Sequence, residues 1–291
     1  MTNSPEQPAP QTRRRFFQFK LRTVLIVVTL VCVASVIYMR PILKQRADDA
    51  KWEAIRAKWG KLGAHMNFRS SASEVATLHL GGKRVNSIPP EIGDFTNLKI
   101  LWLHDNKLTD LPPELGDLSN LTRLTLHNNQ FTELPPEIWK LVNLTGLFLH
   151  RNRVTKLSAD IGNFTKLTWF YLGDNQLTAL PPEIGNLTNL WTLSLNGNSL
   201  TKLPPEIGSL TNLTTLQLNT NQLTDLPPEI GNLTDLTWMN LGDNPITDVD
   251  LEHLKPLKNL KQLELSGTSV TKEGVESLRK ALSNCEILSD F

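Results

Sequence analysis

Cysteine is almost missing from this sequence: 291 residues hold two, Cys32 and Cys285, and Cys32 sits in an apolar run. That excludes a disulfide framework and Cys-rich zinc sites, and it argues against a disulfide-capped extracellular repeat protein of the animal or plant kind. Strong net charge is lacking as well, with 30 Lys and Arg against 29 Asp and Glu. The balance hides a division. Residues 1–62 hold twelve basic and four acidic side chains, which leaves eighteen basic and twenty-five acidic in the rest. A mildly acidic body does not offer the clustered Lys and Arg that phosphate backbones need, so nucleic acid is excluded as a main partner. Signatures of catalysis are lacking too. There is no glycine-rich phosphate loop, no nucleophile elbow and no zinc-protease pattern. The expectation is a protein that is not an enzyme and uses no cofactor.

Only one long apolar run is present. Residues 1–22 are a polar, basic tail expected to be disordered. Residues 23–39 carry no charge and are rich in Val, Leu and Ile, about the shortest stretch that spans a bilayer core as a helix. Phe16, Phe17 and Phe19 flank it on one side and Tyr38 on the other, where aromatic rings suit the membrane interface. A soluble core helix is disfavoured, because an element apolar all round needs cover on every side. A cleaved signal peptide is the alternative to a retained anchor, with small residues at Cys32, Ala34 and Ser35 near a cleavage position. The arginine triplet Arg13–Arg15 favours an inside amino terminus and repeats outside the cytoplasm, although Arg40, Lys44, Arg46 and Lys51 weaken that asymmetry.

Beyond this segment the chain repeats itself. Units begin at Val75, Leu98, Leu121, Leu144, Leu167, Leu190, Leu213, Leu236 and Leu260, spaced by 23 residues seven times and 24 once. Each opens L-x-x-L-x-L-x-x-N-x-L, as in LWTLSLNGNSL. The alternating leucines predict a short strand whose apolar face can be buried only by stacking the next unit beside it. The closing asparagines, Asn106, Asn129, Asn152, Asn175, Asn198, Asn221 and Asn244, are expected to satisfy backbone groups stranded where the chain turns, since a carboxamide both donates and accepts. Proline pairs such as Pro89-Pro90 and Pro181-Pro182 remove two N–H donors and fix φ, so they end the strand and start an extended or short helical return. Unit four has LSAD (157–160) instead, which predicts a locally different outer arc.

The LPPEIGNLTNL phrase resembles the 23-residue class of leucine-rich repeats, found in bacterial proteins and in intracellular Ras-binding and scaffold families. The resemblance covers about 75–250. With the anchor RRRFFQFKLRT and the following KLGA, the whole is similar to membrane-anchored leucine-rich repeat proteins of planctomycete-type bacteria. It implies an α/β solenoid, a curved parallel sheet with a short helical or extended convex side, preceded by a single transmembrane helix. The expected order is a basic tail over 1–22, the transmembrane helix over 23–39 and a juxtamembrane helix with an N-terminal cap over 40–74. Eight repeats over 75–259 follow, then a C-terminal repeat and helical cap over 260–291. Lys83 and Thr268 break the asparagine column at the two ends, and the last two return segments lack Pro-Pro, which predicts true helices there.

The outward strand positions line the concave face. Between the second and third leucines stand His79, Trp102, Thr125, Phe148, Tyr171, Ser194 and Gln217, and before the second leucine Thr77, Ile100, Arg123, Gly146, Trp169, Thr192 and Thr215. Just after the strands come His104, His127 and His150, with Arg151 beside the last. Trp102, Arg123, Phe148, Arg151, Trp169 and Tyr171 suit a protein-binding patch, with a cell-envelope polysaccharide as the other candidate ligand. The same rings also suit a pleated surface for purely structural reasons. The three histidines are either partner contacts, solvated strand ends or a metal site. No carboxylate stands in register with them, so no metal is expected.

Overall fold

The computed structural model describes residues 46–66, 71 and 74–291, together with Ile37, Arg40 and Lys44. These fall into two units, 1–56 and 57–291. In the first, residues 46–56 are helical, with Trp52 and Ile55 as buried side chains. The predicted membrane segment 23–39 lies outside the described residues except for Ile37, which is exposed. Among the described residues no helix is long and apolar enough to cross a membrane.

The second unit is one sheet of eleven short strands in sequence order, β1 to β11. It runs from β1 (His65–Met66) and β2 (Thr77–His79) through β3 (Ile100–Trp102), β4 (Arg123–Thr125), β5 (Gly146–Phe148) and β6 (Trp169–Tyr171). Then follow β7 (Thr192–Ser194), β8 (Thr215–Gln217), β9 (Trp238–Asn240), β10 (Gln262–Glu264) and β11 (Glu286–Leu288). From β2 onward every pairing is parallel, while β1 runs antiparallel to β2 and pairs His65 with His79. The 23-residue period fixes the register: Leu101 pairs with Leu124, Leu124 with Leu147 and Leu147 with Phe170. A slip of one residue would turn each of these fully buried side chains outward. Burying a Leu or Phe contributes roughly 1.5–3 kcal/mol, so the register is strongly held.

The strands β3 to β9 are each followed by an asparagine that ties its own unit to the one before. Asn129 donates through Nδ2 to Leu103 O at 3.0 Å in the previous unit and to Leu126 O at 2.9 Å in its own, while its Oδ1 accepts from Leu108 N at 3.0 Å. The same set recurs from Asn106 to Asn244, and Asn244 is 1% exposed. A second, exposed column was not legible as such: Asn120, Asn143, Asn189 and Asn212 each donate to a carbonyl one unit earlier. Thr122, Thr145 and Thr168 do likewise through their hydroxyls.

The proline pairs open short 3₁₀ turns. In each pair the first proline is extended, as the residue before a proline must be, and the second takes the first helical position, where an N–H would find no partner. Pro181, for example, has φ −71° and ψ 149° and leads into Pro182–Asn186. The glycine of EIG lets successive turns approach: a Cβ on Gly185 would stand 2.7 Å from Glu206 O. The backbone of the unit-four turn does not differ as predicted. Ser158 takes the same extended geometry, φ −70° and ψ 152°, and its hydroxyl accepts from Asp160 N at 3.2 Å, so a side-chain cap replaces the proline pair ahead of Ala159–Asn163. The last two returns are helices, Asp248–Leu254 and Lys272–Ala281. Thr271 caps the second by accepting from Gly274 N at 3.1 Å.

Candidate functional site

Three-residue strands present their first and third side chains on the open face, and parallel register brings equal positions together. Phe148 and Tyr171 stack there, 5.1 Å apart and 10° from parallel. Gly146 makes this possible, because a Cβ on it would meet the Phe148 ring at 3.1 Å. Arg123 lies with its guanidinium carbon 5.6 Å from the Trp169 ring centre, a cation–π contact of about 0.5–1 kcal/mol at an exposed site. Trp169 meets Trp191 edge to face at 6.0 Å, and Trp191 is 51% exposed. Phe148, Trp169 and Tyr171 therefore share one region with Arg123.

Trp102 belongs elsewhere. It packs edge to face on His79 at 4.9 Å, and both line a mainly apolar hollow of about 350 Å³ with His65, Met66 and Thr77. Buried Thr125 stands between Trp102 and Phe148 in the same column. The predicted patch is thus two patches, one at the N-terminal edge and one over β4 to β6.

The histidines form a row along the strand ends. His104 stacks on His127 at 4.7 Å and 4°, and His127 on His150 at 4.4 Å and 9°. His79 joins edge to face at 5.5 Å, and Tyr171 closes the other end at 6.3 Å from His150. Burial first, then the neighbouring imidazoles His150 and His104, pull the His127 pKa down to about 4. Burial first and Arg151 second lower that of His150, while burial and then His104 lower that of His79. The Nδ1 atoms of His79, His127 and His150 are buried without a hydrogen-bond partner, whereas His104 Nδ1 lies 3.2 Å from Thr125 Oγ1. Arg151 points its Nε to Asp174 Oδ2 at 3.6 Å, out on the surface.

The row is followed by a column of left-handed residues. Asp105, Asn128, Arg151, Asp174, Thr220 and Asp243 have φ between 54° and 57°, and Gly197 and Gly267 occupy the same place in their units. Asp and Asn tolerate that conformation because their short polar side chains bond locally. Asn128 Nδ2 donates to Asp105 Oδ1 at 2.6 Å. The turn brings the other oxygen of Asp105 to 3.9 Å from His104 Nε2. A carboxylate does therefore stand with the histidines, contrary to the expectation from register. Trp191, the His65–Met66 wall and Asp105 are the site residues that sequence reasoning missed. A Trp in a column otherwise mostly of Thr, flanked by Thr168 and Thr214, was the available signal for the first.

The family description "Leucine-rich repeat region" fits residues 156–290, and "Leucine rich repeat" fits 73–131 and 119–177. No curated protein matches the chain. Among solved structures, a leucine-rich repeat protein of Leptospira interrogans is 40% identical over 72% of this chain and 52% of its own, with a TM-score of 0.68. The chain thus spans about half the length of that protein. The ectodomain of the Arabidopsis thaliana receptor kinase GASSHO1/SCHENGEN3, solved with Casparian strip integrity factor 2, is 33% identical over 72% of this chain and 26% of its own, at TM-score 0.60. A plant peptide hormone receptor, RGFR1, solved with RGF2, is 28% identical over 70% of this chain and 38% of its own, at TM-score 0.58.

Proposed function

The chain belongs to the leucine-rich repeat proteins, and from that premise we propose that it is a recognition or scaffold module that binds a protein or peptide partner through the open face of its sheet. The observation that carries this reading is the surface formed by Arg123, Phe148, Trp169, Tyr171 and the half-exposed Trp191. Large rings and a guanidinium on a rigid frame lose little side-chain freedom on binding and are typical interface anchors. From β7 onward the face turns mostly to Thr, Ser, Gln and Asn, which argues that contact energy is concentrated at β4 to β6. Two of the similar receptors were solved with such partners, which supports a peptide or protein ligand over a polysaccharide. No catalytic role is assigned to any residue.

The proposal includes an anchor. Residues 23–39 would hold the protein in a bacterial inner membrane as a single-pass helix, with the repeats outside the cytoplasm, as in the planctomycete-type proteins it resembles. A secreted effector or adhesin, freed by cleavage near Ala34, is the competing form. Mass spectrometry of the mature amino terminus separates them, because Met1 or Thr2 retained in the membrane fraction rules out cleavage.

Partner binding is tested by cross-linking in native membranes with the wild-type chain and a Tyr171→Ala, Trp191→Ala variant. Loss of a captured protein in the variant, with circular dichroism unchanged, supports the reading. The same captured set in both would end it.

A further inference from the structure

Among the described residues, one group of three metal-ligating side chains converges: His104, Asp105 and His127, whose donor atoms all lie within 4.8 Å of one another. We propose that these three hold a divalent transition-metal ion, with zinc as the probe, at the strand-end edge of the open face. Two ligand atoms on a tetrahedral zinc are about 3.3 Å apart, given Zn–N and Zn–O bonds of about 2.0–2.2 Å, so small side-chain rotations close the set.

Outer contacts already aim two of the ligands. His104 Nδ1 sits 3.2 Å from the hydroxyl of buried Thr125; donating there would place the proton on Nδ1 and leave the Nε2 lone pair facing Asp105. Asn128 holds one Asp105 oxygen at 2.6 Å and leaves the other turned toward His104. Metal-ligating imidazoles and carboxylates are commonly fixed by such partners. Asp105 N donates to His127 O at 3.0 Å, which joins the two repeat units that supply the ligands. His150 stacks on the row as well, but beside it Arg151 brings positive charge, so the ion belongs at the His104 end. Asp105 is 49% exposed at its side chain, and an imidazole–carboxylate set of three leaves a fourth position open to water or to a donor from a partner. The site stands independently of the partner-binding reading above.

The test uses the full chain in detergent, stripped with a chelator and titrated with zinc chloride by calorimetry, with cobalt(II) absorption as a second readout of tetrahedral nitrogen–oxygen ligation. One zinc per chain is expected. Asp105→Asn, which keeps both the left-handed backbone preference and a partner for Asn128, is expected to weaken binding at least tenfold, as are His104→Gln and His127→Gln. Thr125→Val, which touches no metal, is expected to weaken it by about 10–100-fold. His65→Gln is expected to change nothing. Melting of every variant in chelator shows that each is folded. Absence of binding at 1 mM zinc, on the order of the weakest sites metals occupy, overturns the proposal. So does binding of equal strength in wild type and Asp105→Asn.

Discussion

The Trp139 ring lies 5.7 Å from that of Phe164, tilted by 35°, at the place in the outer turn where the other units carry glycine from Gly93 to Gly231. Those glycines allow turn to sit on turn. Trp139 instead is buried between Pro136–Lys140 and Ala159–Asn163 and holds these two turns further apart than their neighbours. It stands at the back of the units that carry β4 and β5, which supply Arg123 and Phe148 to the aromatic patch. Trp139→Ala is expected to cost about 3–5 kcal/mol in urea unfolding, the usual figure for emptying a buried aromatic site. A cost below about 1 kcal/mol would show that the turns close over the gap.

Asn175 makes the cost of an interrupted ladder measurable. Its amide serves Leu149 O and Leu172 O, and its carbonyl serves Val154 N. Asn175→Ala leaves Val154 N buried and unpaired, whereas Leu149 O and Leu172 O still accept from Asn152 and Asn198, so a loss of about 1–3 kcal/mol is expected. Asn189→Ala removes one exposed bond to Thr165 O and is expected to cost less than about 1 kcal/mol. Equal losses in the two would contradict the difference in burial.

Thr220 is the β-branched member of the left-handed column, at φ 57°. A branched Cβ is costly there, by roughly 1–2 kcal/mol for an ordinary L-residue, whereas asparagine visits that region readily. Thr220→Asn is therefore expected to raise the melting temperature by about 2–4 °C. Scanning calorimetry decides it, and a lowered melting point would mean that the Thr220 hydroxyl, 3.4 Å from Asp243 Oδ2, contributes more than the strain removes.

Burial first, and then Glu286, push the Cys285 thiol up to about 11. At pH 8 its thiolate is then about a hundredfold scarcer than for an exposed cysteine, and alkylation is expected to slow in proportion. The sign follows from the neutral form being favoured in the fold: reactivity stays low until the pH approaches 11. Iodoacetamide kinetics on a Cys32→Ser variant read this directly. A rate equal to that of free cysteine at pH 8 would refute it.

The repeat frame was legible because recurrence advertises it. Asn106 and its successors, the proline pairs and the strand leucines stand at fixed spacing, and one physical task explains each column. The second asparagine column was less so, since Asn120 and Asn143 stand outside the strand phrase, and only the structure shows their amides engaged with Thr96 O and Ser119 O. Asp105 escaped for a sharper reason. A period of two sends adjacent side chains to opposite faces, which separates residues 104 and 105 on paper. The left-handed backbone at Asp105 breaks that alternation and turns the carboxylate back toward its neighbour. Trp191 was not legible because it stands one residue outside the two columns that flank the inner leucines. The split of Trp102 from the Phe148 group depended on the size of Thr125, which spacing alone does not weigh.

Every bridging asparagine reaches no further than its own coil and the coil before it. Nothing in such a pattern counts coils. Excising a stretch such as 190–212 would set Leu213 where Leu190 had been and hand each severed bond an equivalent acceptor. Span is therefore an adjustable quantity in this architecture, and the reversed β1 and the Asp250 tie to Leu226 N mark places where interchangeability ends.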